Sequence, residues 1–130
     1  MRAIRVTVGG RVLYLAYNCE AMFTLEEMAG DTAELFGKMQ PNNRAGVAVL
    51  TQAAAILAEQ GELIRRSLGY DKAPIITPEQ LAAIATPREL LELKNAIPKA
   101  IHYGLALEIG PEEGEEIDLG LLELQQKKTR

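Results

Sequence analysis

Residues 44–60, RAGVAVLTQAAAILAEQ, constrain the fold more than any other stretch of the chain. Apart from Thr51, Gln52 and the two ends, the whole circumference of a helix built from this segment is apolar. Such a helix needs neighbours on every side, so it is expected at the centre of the fold with the other elements wrapped around it. Asn43 is placed to cap its first turn, and it should run on to Leu68, bending at Gly61 and stopping at Gly69. Its apolar stretch, residues 45–58, is shorter than the roughly 20 residues that cross a bilayer, so the expected setting is the core of a domain, not a membrane.

The rest of the chain must supply the jacket. At 130 residues, 48% hydrophobic and 25% charged, the composition is that of one globular domain. With two Phe, four Tyr and no Trp, its core is aliphatic. Residues 3–17, AIRVTVGGRVLYLAY, alternate as a hairpin about Gly9-Gly10, a pair that tolerates the positive φ angles of a tight turn. Two strands alone are marginal, so this ribbon must pack on helices or pair with another chain. Asn18 caps a helix over 19–29 that ends at Gly30, with Ala21, Met22, Leu25, Met28 and Ala29 on its apolar side. Asp31 and Glu34 form a capping box for a short helix carrying Leu35, Phe36 and Met39.

One phrase occurs twice. Thr77-Pro78-Glu79-Gln80 returns as Thr86-Pro87-Arg88-Glu89. In each, a threonine hydroxyl can accept from first-turn N–H groups, proline occupies the position whose N–H is not needed, and Gln or Glu can bond back to the cap. These are two helix starts. The second helix carries the stripe Leu90, Leu93, Ile97, Ile101 and Leu105 and is expected to kink at Pro98. The fold class is therefore α+β, predominantly helical: an N-terminal two-stranded β-hairpin followed by five or six helices around one buried central helix. Residues 1–109 form the single domain, with the hairpin at 3–17 and helices over 19–109. Residues 110–130, opening GPEEGEEIDLG, read as an acidic, flexible tail.

Little in the chain points to catalysis. Charge is close to balanced, at −4 for the whole sequence, without the clustered Lys/Arg of a nucleic-acid footprint. Arg44, Arg65, Arg66 and Lys72 read as solvated helix ends. The single cysteine, Cys19, rules out an intrachain disulfide or a multi-cysteine metal site and is expected to pack beside Met22. His102, the one histidine, has no partner named by the sequence and reads as a surface residue. Adjacent acids such as Glu26-Glu27 point about 100° apart on a helix and do not converge. Gly9-Gly10 lacks the Gly-Lys-Ser/Thr and following helix of a phosphate loop. No catalytic, cofactor-binding or metal-binding residue is expected, and MRAIRVTVGG lacks the apolar core of a signal peptide, so a reduced, cytoplasmic setting is expected.

The order of elements, from IRVTVGGRVLYLAYN through LEEMAGDTAELF and AVLTQAAAILAEQGELIRRSLGY to TPEQLAAIATPRELLELKNAIPKAIHYGL, resembles the tail assembly chaperones of long-tailed phages, prophages and gene-transfer agents. The resemblance covers residues 3–107 and is one of pattern. It implies a non-enzymatic protein in the bacterial host cytoplasm. Such a protein coats the tape measure protein, supports polymerisation of the tail tube protein around it, self-associates, and is often also made as a longer frameshifted product. Lys127-Lys128, near the end of the chain, fits an adenine run of the slippery kind. On this reading Met22, Leu25, Phe36, Met39 and Ile101 are candidates for an apolar partner-binding surface, and the edge Ile4, Val6 and Val8 for oligomer pairing. Two rivals remain at this stage. One is a helix-turn-helix regulator around Thr77–Leu93, disfavoured by the acids of PRELLELK. The other is a further head–tail connector or tail-completion protein.

Overall fold

The computed structural model describes residues 2–105 and 116–118. The hairpin consists of β1 (Arg2–Val8) and β2 (Arg11–Leu15), antiparallel with Ile4 opposite Leu15 and Val8 opposite Arg11. Gly9 and Gly10 turn it at φ 56° and 81°. Five helices follow: α1 (Cys19–Ala29), α2 (Thr32–Met39), α3 (Arg44–Ser67), α4 (Pro78–Ile84) and α5 (Pro87–Gly104).

The start signals act as the side-chain chemistry dictates. Asn18 accepts from the Ala21 amide, and Asn43 from the Gly46 amide. Complete capping boxes open α2, α4 and α5 at Asp31, Thr77 and Thr86. Each satisfies N–H groups that the first turn of a helix leaves without intrahelical partners. Helix α3 runs 24 residues without a break, ending beside Gly69 at φ 96°. It is long and apolar enough to cross a membrane by length and composition, more so than residues 45–58 alone suggest, but half of that stretch is buried inside the fold. Helix α5 continues through Pro98 to Gly104.

Helix α3 is the hub. It contacts β2 on one side, α4 on another, and α1, α2 and α5 around the remainder. Leu50, Ala53, Ala54 and Leu57 are fully enclosed, joined by Ile4 and Leu15 from the sheet and by Leu81, Leu93 and Ile97 from the last two helices. Small residues on α3 let other backbone approach. A methyl on Gly61 would overlap the Tyr14 carbonyl, and one on Gly46 the Pro41 carbonyl.

The expected two-stranded hairpin is present, and a third strand extends it. Residues Glu116–Asp118 form β3, antiparallel to β1 with Arg2 opposite Asp118 and Ile4 opposite Glu116, giving the order β2-β1-β3. Part of the segment read as a tail thus joins the sheet. The rest of the tail, with its Lys127-Lys128, lies outside the described residues.

Candidate functional site

The first turns of α3, α4 and α5 meet at one end of the molecule, and each is fixed there by polar contacts of its own. The loop before α3 is held down by Lys94, whose Nζ donates to the Gln40 carbonyl (3.0 Å) and to Asn42 Oδ1. The start of α5 is tied to the hairpin turn: Glu89 closes its capping box through the Thr86 amide (2.9 Å) and also accepts from the Gly9 amide (3.1 Å). These backbone hydrogen bonds, from Thr86 first and then Gly9, hold the Glu89 carboxyl below its ordinary range. Gly9 packs so close to Ile84 that no side chain fits there. The hairpin turn therefore wedges the junction between α4 and α5 and sets the spacing of their N-termini.

What these contacts leave uncovered is apolar. Between α3 and α4 lies a hollow of about 440 Å³ walled by Val47, Ala48, Thr51, Pro78 and Ala82, with Arg44 and Glu79 at its rim. Between α3 and α5 lies another of about 290 Å³, walled by Val47, Leu50, Pro87, Leu90 and Leu91, with Lys94 beside it. Val47 lines both, so the two adjoin and together make a grooved apolar face across the start of α3. Ala48, Ala82 and Leu91 are exposed, Leu91 by 54%. A groove of this kind suits apolar side chains spaced along a helix.

At the other end of α3 a cluster of charged side chains borders a smaller hollow of about 200 Å³, lined by Arg11, Val12, Glu62, Arg65 and Ile75 among others. Glu62 is 7% exposed, and its carboxylate accepts from Arg65 Nη1 (2.6 Å), Arg66 Nε (2.8 Å) and the Ala73 amide (2.8 Å). Arg66 also donates to the Ala73 carbonyl, and Arg11 to that of Pro74. The Arg65 guanidinium lies 5.2 Å from the Tyr14 ring centre and 5.0 Å from that of Tyr70, within cation–π range. Burial works to raise the Glu62 carboxyl, but the bonds from Ala73, Arg66 and Arg65 outweigh it, and its pKa is lowered. This clasp fastens the connection after α3 to the sheet. Arg65 and Arg66 lie about 30 Å along α3 from Arg44, at 1.5 Å per residue, so these three bases form no common patch.

The residues singled out from sequence fall elsewhere. Leu25, Met39 and Ile101 are 3%, 0% and 2% exposed and belong to the core, while Met22 and Phe36 are half-buried against it. Their stripes are consumed by packing on α3 and do not form the open face expected of them. On the proposed oligomer edge, β3 pairs with β1 as far as Ile4, and the side chains of Ile4 and Val8 are buried, with Val6 half-buried. Cys19 is exposed at the first turn of α1, not packed beside Met22. His102 is exposed on α5. Among the described residues no three His, Cys, Asp or Glu side chains converge as metal ligands.

The groove residues went unread for a simple reason. Val47, Ala48 and Ala82 are small apolar residues of the kind that fill cores, and no local signal marks them as uncovered; α4, seven residues long, spans only part of the 24-residue α3. Phe23 is different. It lies about 200° around α1 from both Ala21 and Leu25 at 100° per residue, off the apolar stripe, and it is 54% exposed. An aromatic residue opposite a stripe was the legible signal. Comparison with protein-family models, with curated proteins and with solved structures finds no match to this chain.

Proposed function

We propose that this protein is a non-enzymatic assembly chaperone of the phage-tail type, acting in the cytoplasm of a bacterial host. In this reading it holds a tape measure protein soluble while the tail tube protein assembles around it. The observation that supports the reading is the groove shared by α3, α4 and α5, an apolar depression centred on Val47 between helix starts tied down by Lys94 and Glu89. An amphipathic helix of the client would lay anchors spaced i, i+3/i+4 and i+7 along it. Removing roughly 200 Å² of apolar surface from water contributes about 5 kcal/mol before ordering costs. Contacts of that strength are individually weak, and many copies along one long client act together. The partner site thus moves from the residues expected on α1, α2 and the C-terminal part of α5 to Val47, Ala48, Ala82 and Leu91.

The test is co-expression with a tape measure protein as the long helical client. The partner is expected in the soluble fraction with the wild-type chain and in the pellet with Ala48→Glu. A partner that is equally insoluble with and without the wild-type chain overturns the proposal.

A further inference from the structure

We propose that a second copy of this chain is also a ligand for the groove, presenting α1 with Phe23 as the inserted side chain. This rests on reading the groove as a site for polypeptide. Three observations point to it.

Phe23 is a large apolar side chain held in water on a helix whose opposite face is already buried by Ala21, Leu25 and Ala29. Neither its own core nor its own groove needs it. It is also ringed by acid: Glu20, Glu26 and Glu27 sit three or four positions away, all exposed, and α1 carries no base. On a helix such positions are immediate neighbours. The groove's rim has the opposite balance, with Arg44 and Lys94 against Glu79 alone. An apolar knob inside an acidic ring therefore meets an apolar hollow with a net basic rim, and complementary charge sets the register of such contacts.

Position on α3 decides the geometry. Helix α1 is tied to the Gln60 side of α3 by the Asn18–Gln60 hydrogen bond (2.9 Å). The groove uses residues 44, 47, 48, 51 and 52, centred about 150° around the helix from Gln60. Knob and groove thus face different directions on one subunit. Docking of one copy on another leaves a free groove at one end of the pair and a free Phe23 at the other. The contact is heterologous, and copies add head to tail without a fixed stopping point unless the rotation closes a ring. A client helix and a second copy then compete for the same groove.

The two halves of such a contact can be broken separately. Phe23→Asp removes the knob and keeps the groove; Ala48→Glu keeps the knob and places an acid in the groove. Both sites are exposed, and far-UV circular dichroism confirms the fold of each, with Ala82→Glu standing in for Ala48→Glu if that variant unfolds. In sedimentation velocity over a concentration series, the wild-type chain should pass beyond the dimer or close into a ring, and each variant alone should stay monomeric. An equimolar mixture of the two should form a one-to-one pair and nothing larger. A wild-type chain that is monomeric throughout, a variant that associates as the wild type does, or a mixture that stays monomeric each overturns the inference. This measurement uses only the chain itself. If it fails while Phe23→Asp still keeps the co-expressed partner soluble, the second-copy ligand is lost and the chaperone reading stands.

Discussion

The two ends of α3 meet opposite demands. At its C-terminal end the charged groups are answered mainly from within the molecule, the buried Arg65 Nε being the exception. Glu62 has three donors, Arg65 lies between two rings, and β2 presses its backbone onto Gly61. At its N-terminal end the polar groups are spent on holding the helix starts in place, and the apolar surface between them is left to water. One helix thus carries an end clasped by charged groups and an end bordered by open apolar surface. The clasp makes a frame, because a buried carboxylate held by three donors resists displacement. Open apolar surface makes a site, because covering it is the favourable event.

Changes at the closed end should cost stability, and changes at the open end should cost binding. The largest effect is expected from Gly61→Ala, whose methyl overlaps the Tyr14 carbonyl. Backbone on both sides cannot swing away, so unfolding in urea should show a loss of about 3 kcal/mol. A variant as stable as the wild type would mean that β2 does not press on α3.

Next comes Glu62→Gln, which keeps the shape but removes the charge that answers two arginines, costing about 2 kcal/mol. It carries a pH signature. Because the folded-state carboxyl lies below its ordinary value of 4.5, its contribution is fully present above the unfolded value and is lost as pH falls through the folded one. Thermal melts from neutral to acid pH should therefore fall off less steeply for Glu62→Gln than for the wild type. Equal slopes would remove the clasp from the account.

A smaller effect, about 1 kcal/mol, is expected from Thr86→Ala, which uncaps the α5 wall of the groove. It lies between the two regimes and should weaken partner capture as well as the fold. Smallest in stability is Ala48→Glu, within about 0.5 kcal/mol of wild type by chemical denaturation, with loss of partner solubilisation. A large loss of stability there would mean that the open end is frame as well.

Much of the frame was legible in the sequence. Caps, stops and hairpin turn are local chemistry, in which a side chain a few residues away satisfies a backbone group or a glycine takes a positive φ, and such signals act without knowledge of the rest of the fold. The central place of α3 was likewise implied by its apolar circumference, although its first turns, with Ala45 and Ala48 exposed, are not covered all round. What tertiary structure alone decided was which apolar residues the jacket failed to cover. Leu25, Met39 and Ile101 share their chemistry with Val47, Leu90 and Leu91; the first three are enclosed and the others border a groove because α4 is short and the hairpin turn holds it apart from α5. The third strand escaped for a related reason: Glu116–Asp118 has no strand pattern of its own, and its pairing comes from the edge that β1 offers. Local signals specify where elements begin and end. Coverage is a property of the whole set of elements, because whether a methyl group meets water depends on what the distant chain places over it.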